Sequence, residues 1–91
     1  MPVNIEKGVF GMNTLETIEN EVLGHLYDLG TLGLHGGWER ESNLDTKAVI
    51  ELYCLKLIDK SIPNGFIRLS ERGVGAVLFG FKDADKISEL L

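Results

Sequence analysis

Two histidines, His25 and His35, one cysteine, Cys54, and a group of carboxylates near the first apolar repeat are the residues of this chain whose types could do chemistry. A structural zinc site needs four such ligands at short, recurring spacings. His25, His35 and Cys54 stand at no recognised ligand spacing, so no metal is expected. A cysteine nucleophile needs a neighbour that lowers its pKa, and Cys54 falls inside an apolar helical pattern where nothing local would do so. Its expected place is a buried position, filled by a small apolar side chain. Among the carboxylates Glu16, Glu19, Glu21 and Asp28, residues 19 and 21 lie two apart and do not face each other on a helix. A solvated outer face is expected rather than an acid–base pair. The run GLHGGWER could cradle an anion with its backbone N–H groups, but it matches neither the Gly-x-Gly-x-x-Gly nor the Walker pattern and reads as a tight connection. No catalytic group and no cofactor are expected, and the chain reads as one that acts by binding.

The elements that would carry these residues follow from apolar spacing. Residues 1–12 show a loose alternation (Val3, Ile5, Val9, Phe10) broken by Gly8 and Gly11, suited to an arm packed on the domain. From Asn13 the pattern becomes helical. Leu15, Ile18, Val22, Leu23, Leu26 and Leu29 recur at three and four, Asn13 or Thr14 is placed to cap with Glu16 as capping-box partner, and Gly30 is the expected stop. Three glycines between 33 and 37 predict an irregular segment, with one helical turn near 39–43. A second helix is predicted over 44–55, capped by Asn43 or Asp45, with Leu44, Ala48, Leu52 and Leu55 as its stripe. Val49, Ile50, Tyr53 and Cys54 widen that stripe until little polar face remains, so this helix is either largely buried or meets a partner. KLIDKS and FIRL flank IPNG, a turn sequence, and predict a two-stranded hairpin. Ser70 is placed to cap a further helix through Val74, Val77, Leu78 and Phe81. The tail over 82–91 puts Ile87, Leu90 and Leu91 on one side of a last helical segment.

With 91 residues the chain holds one domain, expected as 1–91 with a core over 14–81. The apolar fraction of 44% with 25% charged residues is that of a folded globular protein. No apolar run is long enough to span a bilayer, so no membrane partner is expected. The N-terminus lacks a secretory pattern and the single cysteine excludes an internal disulfide. A cytoplasmic location is expected. Nine basic against fourteen acidic side chains leave a net charge of −5, which opposes contact with phosphates. The surplus acid lies toward the ends, because residues 39–72 carry six basic and six acidic side chains.

The order helix, irregular segment, helix, hairpin, helix resembles a winged helix-turn-helix domain. The likeness is sharpest at LKLIDKSIPNGFIRLSERG, which is similar to the stretch of MarR-type and related winged-helix regulators where a helix ends in Leu-Ile, a hairpin follows and a Leu-Ser/Thr-x-x-Gly step opens the next helix. Here those positions are Leu57-Ile58, Pro63 to Gly65, and Leu69 to Gly73. The resemblance implies an α+β, mostly helical fold with a two-stranded wing, and a nucleic-acid-binding, transcription-regulatory type of protein whose partner is double-stranded DNA. Thr46 and Lys47 on the second helix would then face the major groove, beside Glu51. Lys60, Asn64 and Arg68 would lie on the wing, and Arg40 and Ser42 would reach phosphates.

The same residues admit an alternative of another class, a winged-helix module that binds a protein and no DNA. Base reading uses Arg, Lys, Asn or Gln, whereas this second helix offers Ile50 and Tyr53 beside its single Lys. Trp38, Ile50 and Tyr53 would then be the contact residues, with Trp38 either capping the core or anchoring an interface. A homodimer formed through Ile87, Leu90 and Leu91 of the tail is a further expectation.

Overall fold

The computed structural model of the chain describes residues 15–89. The expected N-terminal arm and the capping candidates Asn13 and Thr14, together with Leu90 and Leu91, lie outside the described residues. The architecture is α+β and mostly helical, with a small antiparallel sheet. Helix α1 spans Thr17–Leu32, strand β1 Glu39–Arg40, α2 Thr46–Cys54, β2 Ile58–Ser61, β3 Phe66–Leu69 and α3 Glu71–Phe79. A 3₁₀ turn occupies Glu41–Asn43, Leu34–Gly37 forms an irregular turn through left-handed His35 and Gly36, and Phe81–Glu89 after α3 holds short 3₁₀ turns broken by a kink at Asp83.

The chain enters α1 one turn later than the predicted cap. Glu16 is the N-cap, and its backbone N–H donates to Glu19 Oε1 at 2.8 Å in a reciprocal capping box. The acceptor-three-residues-on logic is the predicted one, displaced by three positions. Gly30 does not stop the helix. The left-handed conformation falls at Gly33 (φ 69°), whose N–H reaches back to the Leu29 and Gly30 carbonyls. His35, Gly36 and Gly37 then continue with positive φ, which makes the irregular turn predicted from the glycines. Asp45 caps α2 by accepting from the Ala48 N–H at 2.9 Å, and Ser70 caps α3 by accepting from the Gly73 N–H at 3.0 Å.

The hairpin forms where IPNG predicts it, with Ile62–Pro63 cis and Gly65 at φ 75°. It is joined by β1, so the sheet has three strands in the order β1-β3-β2, one more than the sequence announced. A two-residue strand has too little periodicity to show in sequence. It exists because β3 offers it an unpaired edge.

The core lies between the helices and one sheet face. Leu26, Val49, Leu52, Leu57 and Ile67 are its largest fully buried side chains, and Val22, Leu23, Ala48, Ile58, Ala76 and Ala84 complete it. Each buried Leu or Ile of this set contributes about 1.5–3 kcal/mol by leaving water. Ile87 is buried against α3, where a Cβ on Gly75 would lie 3.1 Å from its own Cβ. It is part of the domain's packing and is not free to build the expected dimer contact. Arg72 ties the ends of the elements together: it donates to the Leu55 carbonyl, pairs with Asp85 at 3.0 Å and lies 5.6 Å over the Phe81 ring.

Candidate functional site

Strand register decides which of the candidate residues meet. Ile67 of β3 is fully buried, so its row across the sheet, Glu39–Ile67–Lys60, points to the core side. The neighbouring rows, Arg40–Phe66–Ser61 and Asp59–Arg68, therefore point outward. The two hairpin cations expected to act together, Lys60 and Arg68, are on opposite faces. Lys60 pairs across the hairpin with Ile67, the residue before Arg68, and successive residues of a strand point to opposite faces.

On the outward face, Trp38 precedes β1 and packs half-buried under Arg68, whose guanidinium carbon lies 4.4 Å from the ring centroid. Arg40 lies 5.7 Å over Phe66 in the same manner. His35, Trp38, Glu39, Arg40, Asn43, Ser61 and Phe66 line an open cleft of about 620 Å³ on this side. Both arginines keep part of their surface, since Arg40 and Arg68 are exposed. Such stacks fix a guanidinium over an aromatic plane, an arrangement worth about 0.5–1 kcal/mol at an exposed site. Trp38 thus falls between its two expected roles, neither a core residue nor a free anchor.

At the edge of the sheet Glu39 turns the other way and organises the β1 region. Its Oε2 accepts from His25 Nε2 of α1 at 2.7 Å, and its Oε1 accepts from the Arg40 N–H at 2.8 Å and Asn43 Nδ2 at 3.1 Å. The His25 hydrogen bond, followed by that of Asn43, holds the Glu39 carboxyl below its ordinary range. Because a carboxylate only accepts, Nε2 of His25 carries the proton. His25 is a brace between α1 and β1. Nothing in its sequence position announced a partner 14 residues away.

A second surface is formed by α2 and the core-side edge of β2. Thr46, Lys47, Ile50, Tyr53 and Cys54 are exposed, with Ile50 54% and Tyr53 46% accessible. The exposed thiol of Cys54 corrects the expectation that it is buried; the core stripe of α2 runs through Ala48, Val49 and Leu52, and residue 54 falls outside it. Lys60 lies 5.2 Å over the Tyr53 ring and pairs with Glu41 at 3.1 Å, so its charge is internally matched. Asn64 sits at the hairpin tip, where Nδ2 donates to Ser61 Oγ at 3.4 Å, beside Ile62, which is 75% exposed. Ser42 is exposed in the segment before α2. Lys47 faces the first turn of α1 instead of the hairpin, lining a cavity with Glu16, Glu19, Asp45 and Glu51.

That cavity holds a group the sequence placed elsewhere. Glu19, expected on a solvated outer face, is 3% exposed, and burial, reinforced by the Glu51 carboxyl beside it, pushes its own carboxyl above the usual range. No protein-family model, curated protein or solved structure matches the chain. No helix among the described residues is long and apolar enough to cross a membrane.

Proposed function

We propose that the chain is a winged-helix module that acts by binding, and that its partner at α2 and the hairpin is a protein. The winged-helix reading is supported by the element order, α1, β1, α2, β2, β3, α3, with β1 on the far side of β3. The choice of partner is carried by one observation. The outward face of α2, where a DNA-binding member would present base-reading side chains, exposes Ile50 and Tyr53 next to a charge-neutralised Lys60. Exposed aromatic and aliphatic side chains suit a protein interface, and Asp45 and Glu51 on the same helix oppose phosphate. A photo-crosslinking residue at position 50, in cells expressing the full chain, tests this. A discrete protein adduct that is lost with Tyr53→Asp is expected, and an adduct to nucleic acid overturns it.

A second reading, contact with DNA, is favoured by the outward sheet face, where Arg40 and Arg68 stand exposed over Phe66 and Trp38, with the exposed Thr46 and Lys47 on the separate surface of α2. Fluorescence anisotropy with a labelled duplex at low salt separates the two. Tight binding that weakens steeply with salt and falls on Arg68→Ala and Lys47→Ala supports DNA, and no binding sinks that reading.

A further inference from the structure

The first turn of α1 meets the middle of α2 through carboxylates. Oxygens of Glu16, Glu19 and Glu51 lie within 4.8 Å of one another, although the residues come from two helices and all carry the same formal charge. Glu19 Oε1 is used by the capping box, but Glu19 Oε2 is buried and has no hydrogen-bond partner among the described residues. A buried carboxylate oxygen with no donor is costly, and it is placed here beside two further carboxylates instead of a cation. A cavity of about 330 Å³ opens onto the cluster and adds Asp45 to its lining. Lys47 is the one cationic side chain on that lining, and no ion pair among the described residues joins it to these carboxylates.

We propose that Glu16, Glu19 and Glu51 hold a divalent cation of the hard, oxygen-binding class, Ca²⁺, Mn²⁺ or Mg²⁺, which joins α1 to α2. Oxygens at about 2.3–2.6 Å from a central ion stand up to about 5 Å apart, which is the span these three carboxylates occupy. The donor set is all oxygen, with neither imidazole nor thiolate, and this selects against zinc and copper. The cavity leaves room for the waters that complete six or more ligands around such an ion. Bound there, the cation supplies the partner that Glu19 Oε2 lacks and fixes the angle of α2, the helix whose opposite face is the proposed contact surface. The site stands on its own geometry and holds whichever partner α2 meets.

Isothermal titration of MnCl₂ and CaCl₂ into the EDTA-treated full chain at pH 7, alongside thermal melting followed by circular dichroism, tests the site. A single-site isotherm in the range of about 10⁻⁵ to 10⁻³ M and a cation-dependent rise in Tm are expected. Glu19→Gln is expected to weaken binding at least tenfold while raising the Tm of the cation-free protein. Asp28→Asn, on the same helix but away from the cluster, is expected to leave binding unchanged. Should Glu19→Gln fail to fold, Glu51→Gln carries the same expectation of weakened binding. Absence of heat and of a Tm rise, or equal binding by wild type and the folded Gln variant, overturns the proposal. A Tm that rises with acid and not with cation also overturns it, because a shared proton then satisfies Glu19.

Discussion

The carbonyl of Leu57, the residue before β2, lies against Gly73 in the first turn of α3. A Cβ at residue 73 would collide with that oxygen and stand 2.9 Å from Leu69 Cδ2. The same carbonyl accepts from the Ser70 N–H at 3.1 Å, and Ser70 Oγ donates to the Lys56 carbonyl at 2.7 Å while accepting from Gly73 N–H. The Leu-Ser-x-x-Gly step is thus a clamp that holds α3 on the strand leaving α2. Gly73→Ala is expected to destabilise the domain by at least about 1–3 kcal/mol, the usual cost of overpacking, because backbone rather than a flexible side chain blocks the methyl. Urea unfolding checks this, and an unchanged midpoint contradicts the clamp.

Lys56 ends α2 in the left-handed conformation at φ 64°, where a β-carbon is unfavourable, while its N–H reaches the Tyr53 carbonyl at 3.0 Å and the Leu57 N–H reaches the Leu52 carbonyl at 2.9 Å. Glycine meets that backbone without the steric term, which is about 1–2 kcal/mol for an L-residue, although it loses more entropy on folding. Lys56→Gly is expected to raise stability by about 0.5–1 kcal/mol, seen as an upward shift in the same denaturation midpoint.

Glu39 predicts a pH dependence. Its carboxyl titrates below the ordinary value of 4.5 in the folded chain, first because of the His25 hydrogen bond and then that of Asn43. A depressed carboxylate stabilises the fold above the unfolded pKa, and that contribution is lost as pH falls through the lower folded value. Between about pH 5 and the depressed pKa, wild-type stability should therefore fall more steeply than that of Glu39→Gln, which cannot titrate there. Denaturation midpoints measured at intervals from pH 6 to pH 2.5 compare the two slopes, and parallel curves count against the brace.

Trp38 is the single tryptophan, so its fluorescence reports the outward sheet face directly. Removing the guanidinium 4.4 Å from its ring in Arg68→Ala should shift its emission to longer wavelength and increase quenching by iodide. Lys60→Ala, on the other face, should leave the spectrum unchanged. A shift with Lys60→Ala as large as that with Arg68→Ala is incompatible with the strand register described.

Much of the fold was legible because it depends on signals within about ten residues. The stripe from Leu15 to Leu29, the turn at Pro63 to Gly65 and the caps at Asp45 and Ser70 each declare themselves through local spacing and hydrogen-bonding capacity. The displaced start of α1 is instructive: Glu16 and Glu19 offer the same three-residue relation as Asn13 and Glu16, and local cap preference favours Asn13, whereas the structure uses Glu16. The exposure of Cys54 was missed because a helix nearly apolar all round hides which stripe is core.

By itself the sequence determined an α+β domain of helices and a hairpin, and the residue types available to its surfaces. Only the tertiary structure decided which of those residues meet. Pairing register, set by contact of Ile67 with the core, sent Lys60 and Arg68 to opposite faces. Packing of α1 on α2 brought Glu51 to Glu16 and Glu19, more than 30 residues away along the chain, and β1 brought Glu39 to His25. Local propensity acts over a turn or two, whereas ion pairs, stacks and carboxylate clusters are made by elements that only the buried core brings together.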